Sequence, residues 1–383
     1  MIRIDEIYNH TFWPWLEKNR PGTRMFYCDP PGHTDPEHLF NHGRYDPREN
    51  DYIFFHDQEP VDINLYKPLF DAVADVGPRG LGWETKEDKW IQHFPTPENI
   101  GHIVVSERGE MVEKLCKHYN WTSHYYFYHG WACLDWFRGY DKTFLVPRAS
   151  DRLPSQTFMS PNRIIGGRRD HRVLFLYHVF KNHLQHNHIS APRVCQYESV
   201  DITSIAQKYV NVYQDIVTVL DQSALPKLFA GEQQQHMHSY QLGNFFEVKD
   251  SLIYVPTETV YFGRRTHITE KTFKAIALEM PFVLVAPAGS LEYLRRYGFK
   301  TFASVIDESY DEETNDLLRV EKIAKLLKEI DNLSLRERHQ LHRHMLSMVQ
   351  HNYNHFYNGG FCDLLWNELQ SMLNILQTHI SND

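Results

Sequence analysis

The chain has 383 residues, a formal net charge of -9, and 42% hydrophobic against 23% charged residues. That is enough apolar side chain for two packed cores, and it excludes a disordered chain. The negative balance argues against a protein that coats nucleic acid through a general basic surface, and no apolar run approaches the ~20 residues that span a bilayer.

Taken in chain order, the N-terminus carries Asp5 and Glu6 and lacks the apolar stretch of a signal peptide. Cys28, Cys116, Cys133, Cys195 and Cys362 form no C-x-x-C pair, so they read as reduced thiols of a cytoplasmic protein. Short apolar strands are predicted at 24–28, 51–56, 101–106 and 125–128, with a helix at 110–119. The Pro, Ser, Arg and Asp of 147–161 read as a linker. Beyond it, helices are predicted at 171–184, 269–279, 291–297, 317–333, 336–352 and 363–379. Strands are predicted at 251–256, 282–286 and 301–306, and 209–219 stays open between helix and strand. Alternating strands and helices in both halves predict an α/β fold: two Rossmann-like domains with an interdomain cleft, and C-terminal helices. The expected divisions are an acceptor-side domain at 1–150, a donor-binding domain at 151–345 and a helical segment at 346–383.

The richest chemistry lies between Tyr254 and Phe302. Thr269 can cap a helix whose first turn holds Glu270, Lys271 and Thr272. Such an end attracts phosphate, and Lys271 adds a full charge where the helix dipole alone disfavours one. A capped surface helix with a Glu–Lys pair is the plain alternative; an anionic ligand would explain the pair better. Upstream, Arg163, Arg168, Arg169 and Arg172 form a basic cluster, with Arg163 the stronger candidate for a bound phosphate and Arg169 a solvated turn residue.

Glu258-Thr259, Ile268-Thr269-Glu270-Lys271-Thr272-Phe273, Ala275 and Met280-Pro281-Phe282-Val283 together resemble the donor-binding segment of the α1,3-fucosyltransferase family. Residues 282–302, with Asn162-Arg163 and His171-Arg172, are also similar to phage-encoded glycosyltransferase-like proteins. The close resemblance covers about 50 residues. It implies a GT-B fold, a nucleotide-sugar donor and inversion at the anomeric carbon. By position, Lys271 would touch the phosphates, Glu270 would face the ribose or sugar, and Glu258 would lie beside them. Thr259 stands where the family has Asn.

On the acceptor side, Asp57-Gln58-Glu59-Pro60 follows an apolar strand. The family's proposed base is a Glu at this place, which assigns Glu59, with Asp57 as substitute. A base is required because the acceptor hydroxyl loses its proton as it attacks. Asp57 and Glu59, two apart on a strand, would share a face, repel and raise one of the two pKa values toward the working pH. His129 and Trp131, read as the end of another strand, are candidates for the acceptor cleft, with plain core the commoner fate of a Trp.

His183, His186 and His188, and likewise His236 and His238, lack a spaced carboxylate or thiolate partner and read as solvated loops, so no metal ligands are assigned. The chain has no Asp-x-Asp element to hold a divalent ion, so no metal cofactor is expected and Lys and Arg would stabilise the leaving group. The expected partners are a nucleotide-sugar and a hydroxyl acceptor such as a glycan. The rivals are a DNA-modifying sugar transferase acting on a hydroxylated base, which the net charge disfavours, and a non-catalytic nucleotide-sugar or glycan binder.

Overall fold

A computed structural model describes residues 4–19, 24–27, 52–56, 58–61, 100–138, 146–195, 199–229 and 242–380. The fold is mixed α/β with small open sheets. It divides into two compact units, one of Met1–Asp135 with Leu365–Asp383 and one of Trp136–Leu364. The divisions therefore fall at 135 and 364, where the sequence reading placed them at 150 and 345. Among the described residues no helix is long and apolar enough to cross a membrane.

The first unit opens with helices α1 (Ile4–Ile7) and α2 (Trp13–Asn19), joined by a π-helical turn at Tyr8–Phe12. Its sheet is parallel, in the order β1 (Arg24–Tyr27), β2 (Tyr52–His56), β3 (Ile100–Val105), β4 (Thr122–Tyr125). Helix α3 (Glu110–Tyr119) packs Val112 and Leu115 against Ile100, Ile103, Val105, Val61 and Trp121. Asn120 stops it in the left-handed region at φ 57 and returns its N–H to Cys116, as a short polar residue can at low cost.

The strand predicted at 125–128 is corrected. Pairing ends at Tyr125, and helix α4 (Tyr128–Trp136) follows. Its first turn is set by the Ser106 hydroxyl, which accepts the Tyr128 N–H at 3.0 Å. Tyr128 to Cys133 are all buried, so an all-round apolar helix has the same sequence signature as a buried strand.

The second unit has a parallel sheet in the order β6 (His188–Ile189), β5 (Gln156–Ser160), β7 (Ser251–Tyr254). Parallel bridges Tyr254–Phe282 and Thr257–Val285 extend it through the apolar run at 282–285. The predicted linker is corrected: residues 156–160 are the central strand. Just before it, Arg152 is buried with its guanidinium on the Leu278 and Glu279 carbonyls at 2.7 and 3.2 Å. The strand predicted at 301–306 is a set of turns, with the Val305 and Ile306 amides both donating to Phe302 O. Helices complete this unit: α5 (His171–Lys181), α6 (Ile202–Ala206), α7 (Tyr213–Asp221), α8 (Phe245–Asp250), α9 (Glu270–Ala277), α10 (Ser290–Arg296), α11 (Asp316–Asp331) and α12 (Leu335–Tyr357). Of the open segment at 209–219, the part from Tyr213 onward is helix and the part before it is turn. The last helix, α13 (Gly360–Ile380), begins in the second unit and continues in the first.

Candidate functional site

In the second unit, the loop after β5, the loop after β7 and the start of α9 meet at the carboxyl edge of the sheet, where open α/β sheets bind ligands. Glu258 is their hub. It is fully buried. Its carboxylate accepts the Thr269 N–H at 3.2 Å, the Thr269 hydroxyl at 2.5 Å and the Thr272 hydroxyl at 2.6 Å. A negative group saturated by donors from the first turn suits a helix N-terminus. Glu258 therefore builds the start of α9 from inside rather than presenting its carboxylate to a ligand.

Thr269 caps α9, accepting from the Lys271 amide. The Lys271 ammonium lies 2.9 Å from Glu270 Oε1 and donates to the Thr259 and Thr269 hydroxyls, both at 3.1 Å. A charge that looked misplaced at a dipole's positive end is thus neutralised within the protein. Thr259 serves as one of its three acceptors.

The basic cluster separates into two groups. Arg172 is buried and donates to the carbonyls of Ile164 and Thr257, both at 2.7 Å, so it ties the two loops together. Burial, and next the charge of Arg169, lower its pKa to about 9. Arg163, Arg168 and Arg169 stay half-buried on the loop between β5 and α5. His171, at the start of α5, is fully buried and its Nε2 donates to the Glu258 carbonyl at 3.1 Å. Burial first, then Arg172, hold its pKa well below the usual value, so the ring is neutral.

Sequence reasoning missed the column behind this loop. His171 stacks on Tyr261 with centroids 5.0 Å apart and planes 9° apart. The Arg319 guanidinium lies over the Tyr261 ring at 4.3 Å and donates to the carbonyls of Tyr261 and Ala286 at 2.8 and 3.0 Å. Arg319 is 1% exposed, yet in the sequence it is one more charge on an amphipathic helix. Nothing local marks it.

In the first unit, Glu59 is half-buried in a bend, and Asp57 lies outside the described residues. Strand β2 ends at His56, so strand alternation does not reach Glu59. The bend is held at both ends. His129 Nε2 donates to the Gln58 carbonyl at 2.8 Å, and the Val61 N–H donates to Glu107 Oε2 at 2.9 Å. His129 thus stands beside Glu59, but from the first turn of helix α4 rather than from a strand end. Trp131 is core, 1% exposed and edge-to-face with Trp366 at 4.7 Å. Glu107, 1% exposed, follows β3 as Glu59 follows β2. The same signal, a carboxylate just past an apolar strand, could have found it.

The histidine reading is also corrected. His186 and His188 each have a carboxylate at 3.0 Å, Asp331 and Asp250 respectively, brought from far along the chain. Among the described residues no group of three or more His, Cys, Asp or Glu is placed to hold a metal ion; His236 and His238 lie outside them.

No family model, no curated protein and no solved structure matches the chain.

Proposed function

We propose that the chain is a glycosyltransferase that moves a sugar from a nucleoside-diphosphate donor to a hydroxyl acceptor, with inversion and without a metal ion, on a GT-B arrangement of two Rossmann-like domains. One observation carries the reading. The carboxyl edge of the second unit's sheet gathers the arginine loop at 163–169 and the Thr269-Glu270-Lys271 start of α9, both fixed from behind by Glu258 and Arg172. Arg169 and Arg172 repel one another there, and a bound diphosphate relieves that repulsion. The resemblance of residues 258–283 to the fucosyltransferase donor segment points to the same chemistry.

In this reading Glu59 takes the proton of the acceptor hydroxyl. The acceptor oxygen bonds to the anomeric carbon as the bond to the diphosphate breaks. Lys271, Arg163 and Arg168 receive the negative charge that develops on the leaving diphosphate, the role a divalent ion plays in other transferases. Glu107 and His129 act one step back, holding the bend that carries Glu59.

The test is a calorimetric screen of nucleoside diphosphates and their sugar conjugates. At least one binds the wild type, and Lys271→Ala weakens it about 10- to 100-fold through loss of a charge-assisted contact. Unchanged affinity in Lys271→Ala removes the donor site from α9.

A further inference from the structure

Asn358 is the one asparagine of the chain that is followed by glycine. It is exposed at the C-cap of α12, with its N–H held by the Asn354 carbonyl at 2.8 Å. Among the described residues its side-chain amide makes no hydrogen bond, and the Gly359 N–H donates to no backbone carbonyl. Elsewhere asparagine amides are committed: those of Asn162, Asn182, Asn187 and Asn352 donate to backbone carbonyls. Gly359 stands in the left-handed region at φ 99, and a Cβ there would meet nothing within 4 Å. An exposed amide without a partner, an uncommitted neighbouring nitrogen and no side chain to crowd the approach are what an intramolecular attack needs. Asn358 rests at ψ 17. Rotation about that bond sets the nitrogen against Cγ, and the open space at Gly359, at a helix end, admits it.

We propose that Asn358 is a site of spontaneous deamidation, with water as the co-reactant, and that its isoaspartate product loosens the joint between α12 and α13. The Gly359 nitrogen loses its proton and bonds to Asn358 Cγ. The bond from Cγ to the side-chain nitrogen breaks, and that nitrogen leaves as ammonia with the proton. Water then opens the cyclic imide at either carbonyl. One opening gives aspartate. The other gives isoaspartate, whose main chain runs through the former side chain and is longer by a methylene. The joint has no slack for it. Upstream, the chain is pinned by the bond from Asn358 to Asn354. Downstream, a Cβ on Gly360 would lie 2.6 Å from His355 Nδ1, and His355 is itself fastened to the Tyr297 carbonyl at 2.7 Å. Phe361 is fully buried and stacks on Phe273 of α9 with centroids 5.4 Å apart. Only Gly359 and Gly360 separate Asn358 from Phe361. The added length therefore displaces either the last turn of α12 or the Phe361 anchor, since a packed core does not absorb a methylene.

The experiment incubates the full chain in warm, mildly alkaline buffer and follows it by peptide mass spectrometry, with enzymatic carboxyl methylation as the probe for isoaspartate. Asn358→Gln and Asn358→Ser run alongside, and two variants guard against a local folding defect. The wild type gains the mass difference between Asn and Asp in the peptide that holds residue 358, faster than in any other peptide, and takes up methyl label there. Both variants lose both signals. No gain in this peptide, or a faster gain at another asparagine, overturns the site. Hydrogen exchange then reads the consequence. Aged wild type exchanges faster than fresh protein across 351–366, while aged Asn358→Gln matches its fresh form. Asn358→Asp, which carries the charge without the methylene, behaves as fresh wild type. Unchanged exchange in the aged wild type, or equal acceleration in Asn358→Asp, overturns the loosening by added chain length.

Discussion

At the scale of single residues, burial sets the chemistry, and two buried groups predict opposite responses to pH. Asp311 is 6% exposed and accepts the Leu291 amide through both oxygens, at 3.1 and 3.0 Å. Burial outweighs those bonds and raises its pKa to about 6. The folded state thus binds this proton more tightly than the unfolded chain, so the stability linked to Asp311 is lost as pH rises from about 4 to 6. His342 behaves in reverse. Burial first, then the charge of Arg152, lower its pKa to about 4, so its contribution is present above the unfolded value and lost as pH falls through 4. Asp311→Asn isolates the first effect and keeps an acceptor for Leu291. Urea unfolding of wild type and variant across pH 4 to 7 will show the variant gaining about 3 kcal/mol relative to the wild type. A difference that stays constant with pH excludes the proposed cost of ionising Asp311.

At the scale of elements, α9 shows how a short helix is made by its surroundings. Eight residues do not hold a helix in water, and its ends are fixed from elsewhere in the chain. Glu258 and Thr269 satisfy the first turn. At the other end the Arg152 guanidinium meets the Leu278 and Glu279 carbonyls, a cation at the negative end of the dipole. The Glu279 carboxylate, 1% exposed, pairs with Arg148 at 2.7 Å and accepts the Ala149 amide at 3.0 Å. Arg152→Ala leaves buried carbonyls without donors and costs about 3–5 kcal/mol. Arg148→Ala costs less, because its side chain is 38% exposed and Arg152 still faces Glu279. Equal losses in chemical denaturation would mean that the ion pair, and not the helix cap, holds this end of α9.

At the scale of the whole molecule, the two units share one helix. Residues of α13 from Leu365 onward belong with the N-terminal unit, where Trp366 packs edge-to-face on Trp131 at 74°. Trp366→Ala is expected to cost the first unit about 2–3 kcal/mol, below the range for a fully buried Trp because this one is half-buried. Hydrogen exchange followed by mass spectrometry locates the effect: peptides covering 100–136 exchange faster, while those covering 251–285 keep their wild-type rates. Acceleration across both sets would show that the units unfold as one.

The sequence by itself determined where apolar runs and helical periods lie, and with them helices α3, α9 and α11 and strands β2, β3 and β7 to within a few residues. It also determined the local chemistry of Thr269-Glu270-Lys271, because a cap and its first turn are set by neighbours three residues apart. Only the tertiary structure decided what needs partners from far along the chain. Arg152 looked like linker composition and proved to be a helix cap, because its acceptors lie more than a hundred residues away. The strand read at 125–128, with His129 and Trp131 at its end, stops at Tyr125 and gives way to helix α4, because an apolar run buried on all sides has no polar face to reveal its period. Glu258 and Glu270 look alike in the sequence. One is sealed among threonine donors and the other pairs with the Lys271 ammonium, because hydrogen-bond supply is a property of the packed loops and not of the residue type.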